Sequence, residues 1–157
     1  MEEIQNVRIQ FLGTASTTAD KKKLEDLIKS HKFKSKLFFR GILKDKEKFD
    51  FLNQCDIFIF PSYEEVFPMS LLEAMACGLP VAASRVDSIP ELIIEGENGY
   101  LFDPGNLGQI QQTIRNMLAH SDDRLRMSNN NVRKVKEQYS DAVVWDLFHK
   151  LFYDNEN

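Results

Sequence analysis

The chain has 157 residues, 43% of them hydrophobic and 28% charged, with a formal net charge of -4. That length supports one sizeable core and one domain, and no apolar run approaches the roughly 20 residues of a membrane-crossing helix. The mild acidity and the polar, acidic N-terminus point away from nucleic acid and from secretion, toward the cytosol.

In chain order, Val7 to Gly13 alternates apolar and polar residues and then halts at glycine, which predicts a first strand. A helix capped by Asp20 should follow, with Leu24, Leu27 and Ile28 on one face. Leu37 to Gly41 reads as a second strand, and Lys46 to Gln54 as a short helix with Phe49 and Leu52 inward. Asp56-Ile-Phe-Ile-Phe60 has the length and the β-branched, aromatic content of a strand covered on both faces. The run holding Leu71, Leu72, Met75 and Ala76 is helical, ended by Gly78 and then Pro80.

Pro80 to Ser84 predicts a fourth strand, Ser88 to Ile94 one or two helical turns, and Gly99 to Phe102 a short last strand. Asn106 should cap a helix whose Leu107, Ile110, Ile114, Met117 and Leu118 form a stripe. A polar, exposed helix over Ser121 to Gln138 comes next, then one from about Ser140 to Phe152 with Val144, Leu147, Phe148, Leu151 and Phe152 at helical spacing. Alternating strands and helices imply a doubly wound parallel α/β sheet, a Rossmann-like single domain over 1–157 with a C-terminal helical segment over about 121–153.

Pro61 to Pro68 thus joins a central strand to a helix, where parallel sheets collect their ligands. Pro68 suits the first turn of that helix, leaving the N–H groups of Met69, Ser70 and Leu71 free to face an anion. Glu65 and Glu73, spaced E-x7-E, flank those amides. A carboxylate only accepts hydrogen bonds, so beside bound phosphates it suits sugar hydroxyls. Cys55 and Cys77 form no CxxC pair and read as buried reduced thiols, and His31, His120 and His149 are scattered. Neither a metal site nor a Ser/His/Asp or Cys/His catalytic set is expected. The stretch from Lys21 to Lys48, which holds more lysine and arginine than acid, would attract an anionic ligand or an anionic membrane surface, although a solvated helix face explains it as well.

Pro61-Ser62, Glu65-Val-Phe-Pro-Met-Ser-Leu-Leu-Glu73-Ala-Met-Ala-Cys-Gly-Leu-Pro-Val81, Pro90-Glu91-Leu-Ile and Glu95-Gly-Glu-Asn-Gly99-Tyr-Leu resemble the nucleotide-sugar half of family-four retaining glycosyltransferases with the GT-B fold. The resemblance runs from about Val7 to about Ala119. It implies the donor-binding domain of an enzyme that moves a hexose from a UDP- or GDP-linked sugar to a saccharide or lipid-linked acceptor with retention, in polysaccharide biosynthesis. It also implies that Glu65 is catalytic, contacting donor-sugar hydroxyls and steadying positive charge at the anomeric carbon, and that Glu73 binds the ribose hydroxyls. The amides of Phe67, Met69, Ser70 and Leu71 would meet the diphosphate, and Arg40, Gly41 and Ile42 would lie near the base. Phe67's ring is as suited to packing as to contact, and Glu64 competes with Glu65 only under a different loop register. Amide stabilisation of the leaving diphosphate needs no metal, and no cofactor beyond the nucleotide-sugar substrate is expected.

Asp87-Ser88 stands where many relatives carry glycine before Pro90-Glu91, bringing a bulkier group toward the donor pocket, and Pro68 replaces a glycine that many have after the phenylalanine. The family's basic pyrophosphate clamp has no counterpart before Val7, and the acceptor-binding N-terminal domain is missing, so the isolated chain should turn over little. Peripheral attachment at the inner membrane face is an expectation for the full-length protein. Two other classes compete. One is a non-catalytic nucleotide-sugar-binding or partner-docking domain of the same fold. The other is an unrelated doubly wound domain such as a signalling receiver, which wants acids after its first strand where this chain has Gly13-Thr-Ala-Ser.

Overall fold

The computed structural model describes residues 7–15, 17–32 and 34–152. These fall into two compact units, Met1–Lys48 and Phe49–Asn157. In the first, β1 (Ile9–Leu12) and β2 (Leu37–Gly41) pair in parallel, with Ile9 opposite Leu37 and the register shifting between Phe11 and Leu12. Between them runs α1 (Thr18–Ser30). Its cap is Thr17 rather than Asp20: the Thr17 hydroxyl accepts from the Asp20 N–H at 3.1 Å and donates to the Asp20 carboxylate at 2.8 Å. The two residues thus form one reciprocal cap, with Asp20 as its third-position partner. Leu24 and Ile28 are half-buried, whereas Leu27 is 61% exposed, so the apolar face is narrower than its spacing suggests.

The second unit carries the larger core. The helix α2 (Asp45–Leu52) ends at Leu52, buried against Ala74 and Leu79, while Phe49, expected inward, is 39% exposed. Three parallel strands follow in the spatial order β3 (Phe58–Phe60), β4 (Val81–Ser84), β5 (Gly99–Phe102). Phe58 lies opposite Val81, and Val81 opposite Gly99. Side chains alternate across β4, and helices cover both faces. Val81 and Ala83 pack with Leu71, Leu72 and Met75 of α3 (Met69–Ala76) and with Ile89 and Leu92 of α4 (Ile89–Leu92). Ala82 packs on the other side with Phe102 and with Met117 of α5 (Leu107–Ala119). Phe58 and Phe60 pack against the first layer and Ile57 and Ile59 against the second, so this run has apolar neighbours on both faces. It is nevertheless only half-buried, and it lies at the edge of the β3-β4-β5 sheet, where β4 is central, rather than in the middle as expected. This is a mixed α/β, Rossmann-like arrangement.

Asn106 caps α5 as expected, its side chain accepting from the Gln109 N–H at 3.1 Å. The polar helix α6 (Ser121–Gln138) is less of a surface element than its composition suggests, because Met127 and Asn131 are fully buried. On α7 (Asp141–Phe152), Val144, Trp145 and Leu147 are 55%, 64% and 53% exposed, so the apolar stripe is not all core; the side chains of Phe148, Leu151 and Phe152 lie outside the described residues. Among the described residues no helix is long and apolar enough to cross a membrane.

Gly99 is required for a packing reason. A Cβ there would stand 2.6 Å from the Val81 carbonyl oxygen and 3.1 Å from Ile93 Cγ2. The first neighbour is sheet backbone and cannot swing away. Gly99→Ala is therefore expected to destabilise the fold by about 1–3 kcal/mol. Urea unfolding should show a lower midpoint with an unchanged slope, and an unshifted midpoint would contradict the strand contact.

Candidate functional site

The carboxyl edge of the β3-β4-β5 sheet carries the Pro61–Pro68 loop after β3, the Arg85–Ser88 turn after β4 and the Asp103–Gly105 turn after β5. The loop after β3 is fastened to both neighbours. The Glu65 N–H donates to Asp87 Oδ2 at 2.8 Å, and the Ser88 hydroxyl donates to the Val66 carbonyl at 2.5 Å. The Tyr63 hydroxyl lies 3.0 Å from where a Gly105 Cβ would be, so its phenol rests against that glycine. Phe67 meets Tyr139 at the end of α6 with ring centroids 6.1 Å apart, which makes its ring a packing group although it is 43% exposed.

Pro68 ends the loop as the N-cap of α3, one position earlier than expected, and supplies no side-chain cap. Its carbonyl accepts from the Leu71 N–H at 3.0 Å and from the Leu72 N–H at 3.3 Å. Leu71, expected to offer a free amide, is thus already committed, because the first turn tightens to close its own hydrogen bond. For the N–H groups of Met69 and Ser70 no acceptor occurs among the described residues, and both side chains are exposed. An uncapped helix start of this kind leaves amide donors and the positive end of the helix dipole open to an anion. Glu65 and Glu73 stand on either side in sequence, both half-buried, and Glu64 is exposed.

Arg40, Gly41 and Ile42 belong to the first unit. Arg40 Nε donates to Gln10 Oε1 at 2.8 Å and its guanidinium sits 5.5 Å from the Phe38 ring centroid. Gly41 has φ +72°, the left-handed conformation that suits glycine in a turn, and Ile42 is 62% exposed.

Cys55 and Cys77 are free but only half-buried. Burial pushes both thiols up, with Asp56 adding to the effect on Cys55 and Glu73 to that on Cys77, which favours the unreactive neutral form. Among the described residues no three His, Cys, Asp or Glu side chains converge as a bound metal would need. Two hollows of the second unit, about 300 and 290 Å³, lie by Arg85, Glu95 and Asp103 and by Cys55, Cys77 and Arg124; Glu65 and Glu73 line neither.

The sequence profile described as "Glycosyl transferases group 1" matches residues 1–134. The chain belongs to the glycosyl transferases group 1 family. Within that family it is 30% identical over 142 residues to "Sulfoquinovosyl transferase SQD2" of Arabidopsis thaliana, covering 88% of this chain and 26% of that protein. It is 29% identical over 128 residues to "N-acetyl-alpha-D-glucosaminyl L-malate synthase" of Bacillus anthracis, covering 82% and 33%. The chain therefore spans about a quarter to a third of the length of these curated relatives.

Among solved structures, the C-terminal domain of a glycosyl transferase group 1 family protein from Francisella tularensis superposes with a TM-score of 0.71 at 29% identity, covering 81% of this chain and 66% of that one. Anabaena HepE in complex with UDP-glucose superposes at 0.82 with 22% identity, covering 94% and 41%, a likeness of fold alone.

The loop fastenings at Asp87, Ser88, Gly105 and Tyr139 are legible in the sequence only as turn formers and a helix end. Asp87 lies 22 residues from the amide it holds, and no local pattern connects the two.

Proposed function

We propose that this chain is the donor-binding part of a glycosyltransferase that moves a hexose from a UDP- or GDP-linked sugar to a saccharide or lipid-linked acceptor, with the anomeric configuration retained. The observation that carries this is the uncapped start of α3, where the Met69 and Ser70 amides lie in sequence between Glu65 and Glu73. Those amides meet the diphosphate, Glu73 takes the ribose hydroxyls, and Glu65 holds sugar hydroxyls and steadies the positive charge at the anomeric carbon. As transfer proceeds, the bond from the anomeric carbon to the diphosphate oxygen breaks with its electron pair going to the oxygen. The acceptor hydroxyl bonds to that carbon, and its proton passes to a diphosphate oxygen. Negative charge grows where the amides already point, so the same donors that bind the ground state hold the transition state more tightly.

In this reading the amides stand where a metal would otherwise neutralise charge, and the reaction needs no metal. A second domain supplies the facing wall, so this chain alone binds weakly and turns over slowly. Backbone NMR titration of the chain with UDP, GDP and ADP and their sugars tests the proposal. Shifts are expected to centre on residues 65–73 and to favour UDP or GDP. A folded chain whose amides there ignore every nucleotide would overturn it.

A further inference from the structure

We propose that Asp87 and Ser88 are positioning residues that fix Glu65 for sugar recognition, an inference whose ligand half rests on the donor-binding reading above. Three observations converge on this pair. Asp87 adopts φ +44°, a left-handed conformation that an aspartate tolerates but glycine adopts more readily. From that conformation its carboxylate accepts the Glu65 N–H at 2.8 Å. The adjacent Ser88 hydroxyl donates to the carbonyl of Val66 at 2.5 Å, so the N–H on one side of the Glu65–Val66 pair and the C=O on the other are both held.

Strained backbone persists where surrounding contacts over-determine it, and here those contacts run to one short stretch of the loop. A glycine at 87 would relax the turn and lose the acceptor. The aspartate therefore exchanges local comfort for a fixed Glu65 backbone. The amides of Met69 and Ser70 and the side chain of Glu73 belong to α3, whereas the two bonds of the clamp fall on Glu65 and Val66 of the preceding loop. The pair accordingly governs how well the sugar is distinguished from the bare nucleotide, and leaves affinity for the nucleotide alone.

The test uses the 157-residue chain with Asp87→Gly, Asp87→Asn and Ser88→Ala. In the free chain, hydrogen exchange at the Glu65 amide is expected to be about tenfold faster in Asp87→Gly and close to wild type in Asp87→Asn, which keeps an acceptor oxygen. The thermal midpoint of Asp87→Gly should stay within a few degrees of wild type, because the lost bond is offset by relief of the positive φ, which separates positioning from general stability.

With ligand, the ratio of Kd for UDP to Kd for UDP-glucose, and of GDP to GDP-mannose, is measured for each variant. For the pair that the wild type discriminates, the ratio is expected to fall about five- to tenfold in Asp87→Gly and by less in Ser88→Ala, while Kd for the nucleotide changes less than about twofold. Unchanged Glu65 exchange in Asp87→Gly overturns the clamp whatever the ligand data. Faster exchange with an unchanged ratio overturns its part in sugar recognition. A wild-type chain that binds neither pair sinks the donor-binding reading, and the exchange rates then decide by themselves whether Asp87 fixes the loop.

Discussion

Alanine in place of Glu73 is expected to weaken binding of UDP or GDP by about ten- to a hundredfold, the loss of charge-assisted hydrogen bonds worth about 1.5–3 kcal/mol. Glu73 sits in the second turn of α3, half-buried, four residues before Cys77. Alanine is the best helix former, so the helix that presents the Met69 and Ser70 amides should survive the change. Glu73→Gln keeps one acceptor oxygen and should lose less. Calorimetric titration measures both, and equal affinity for wild type and Glu73→Ala would remove this residue from the site. The Cys77 thiol offers an internal control. Burial, and then the Glu73 carboxylate, hold it above its ordinary value, so Glu73→Ala should lower it and speed its alkylation at mildly alkaline pH.

The second large effect concerns stability. Asn131 is fully buried, and its side-chain amide donates to the carbonyls of Leu79 at 2.8 Å and Asn98 at 2.9 Å. Asn98, also buried, accepts from the Ile94 N–H at 2.7 Å and donates to the Leu92 carbonyl at 3.0 Å. One side chain of α6 thus ties together the approaches to β4 and β5. Asn131→Asp replaces a two-bond donor with an acceptor facing two carbonyls, and should cost about 3–5 kcal/mol at neutral pH.

The carboxyl introduced by that substitution would be harder to ionise folded than unfolded. A raised folded pKa adds stability below the unfolded value of about 3.9 and loses it as pH rises. The deficit against wild type should therefore shrink toward acid, where the protonated acid can again donate one bond. Denaturant melts from about pH 3.5 to 7 measure this, and a deficit that stays flat or grows toward acid would contradict the buried network.

Much of the fold is legible because two signals agree at each element. The Asp56–Phe60 run is apolar enough to form a strand with apolar neighbours on both faces, although half-buried at the edge of its sheet, and Gly78 followed by Pro80 ends α3 where the structure ends it. Local signals fail where partners are distant. Thr17 and Asp20 both suit a helix start, and only the observed bonds show which caps and which answers. The stretch from Ser121 to Gln138 looks solvated because its few apolar residues, Leu125, Met127, Val132 and Val135, are outnumbered by polar ones, and Asn131 is buried by virtue of carbonyls that arrive from Leu79 and Asn98.

The candidate site divides in the same way. Glu65, Pro68 and Glu73 are visible as spacing, but Leu71's commitment to the Pro68 carbonyl depends on how tightly the first turn closes. Asp87-Ser88 reads in sequence as an intruder in the donor pocket. In the structure its polar atoms are spent on the backbone of the loop after β3.

That loop leans on residues far along the chain, Tyr63 on Gly105 and Phe67 on Tyr139. If the chain binds its donor as proposed, preference among donors can drift without altering any group that touches the sugar. Lengthening the tight bend at Gly105, or trading the aromatic at the foot of α6, would tilt the acidic loop from behind. Searches for the origin of altered donor choice in related sequences should weigh these remote supports beside the residues in direct contact.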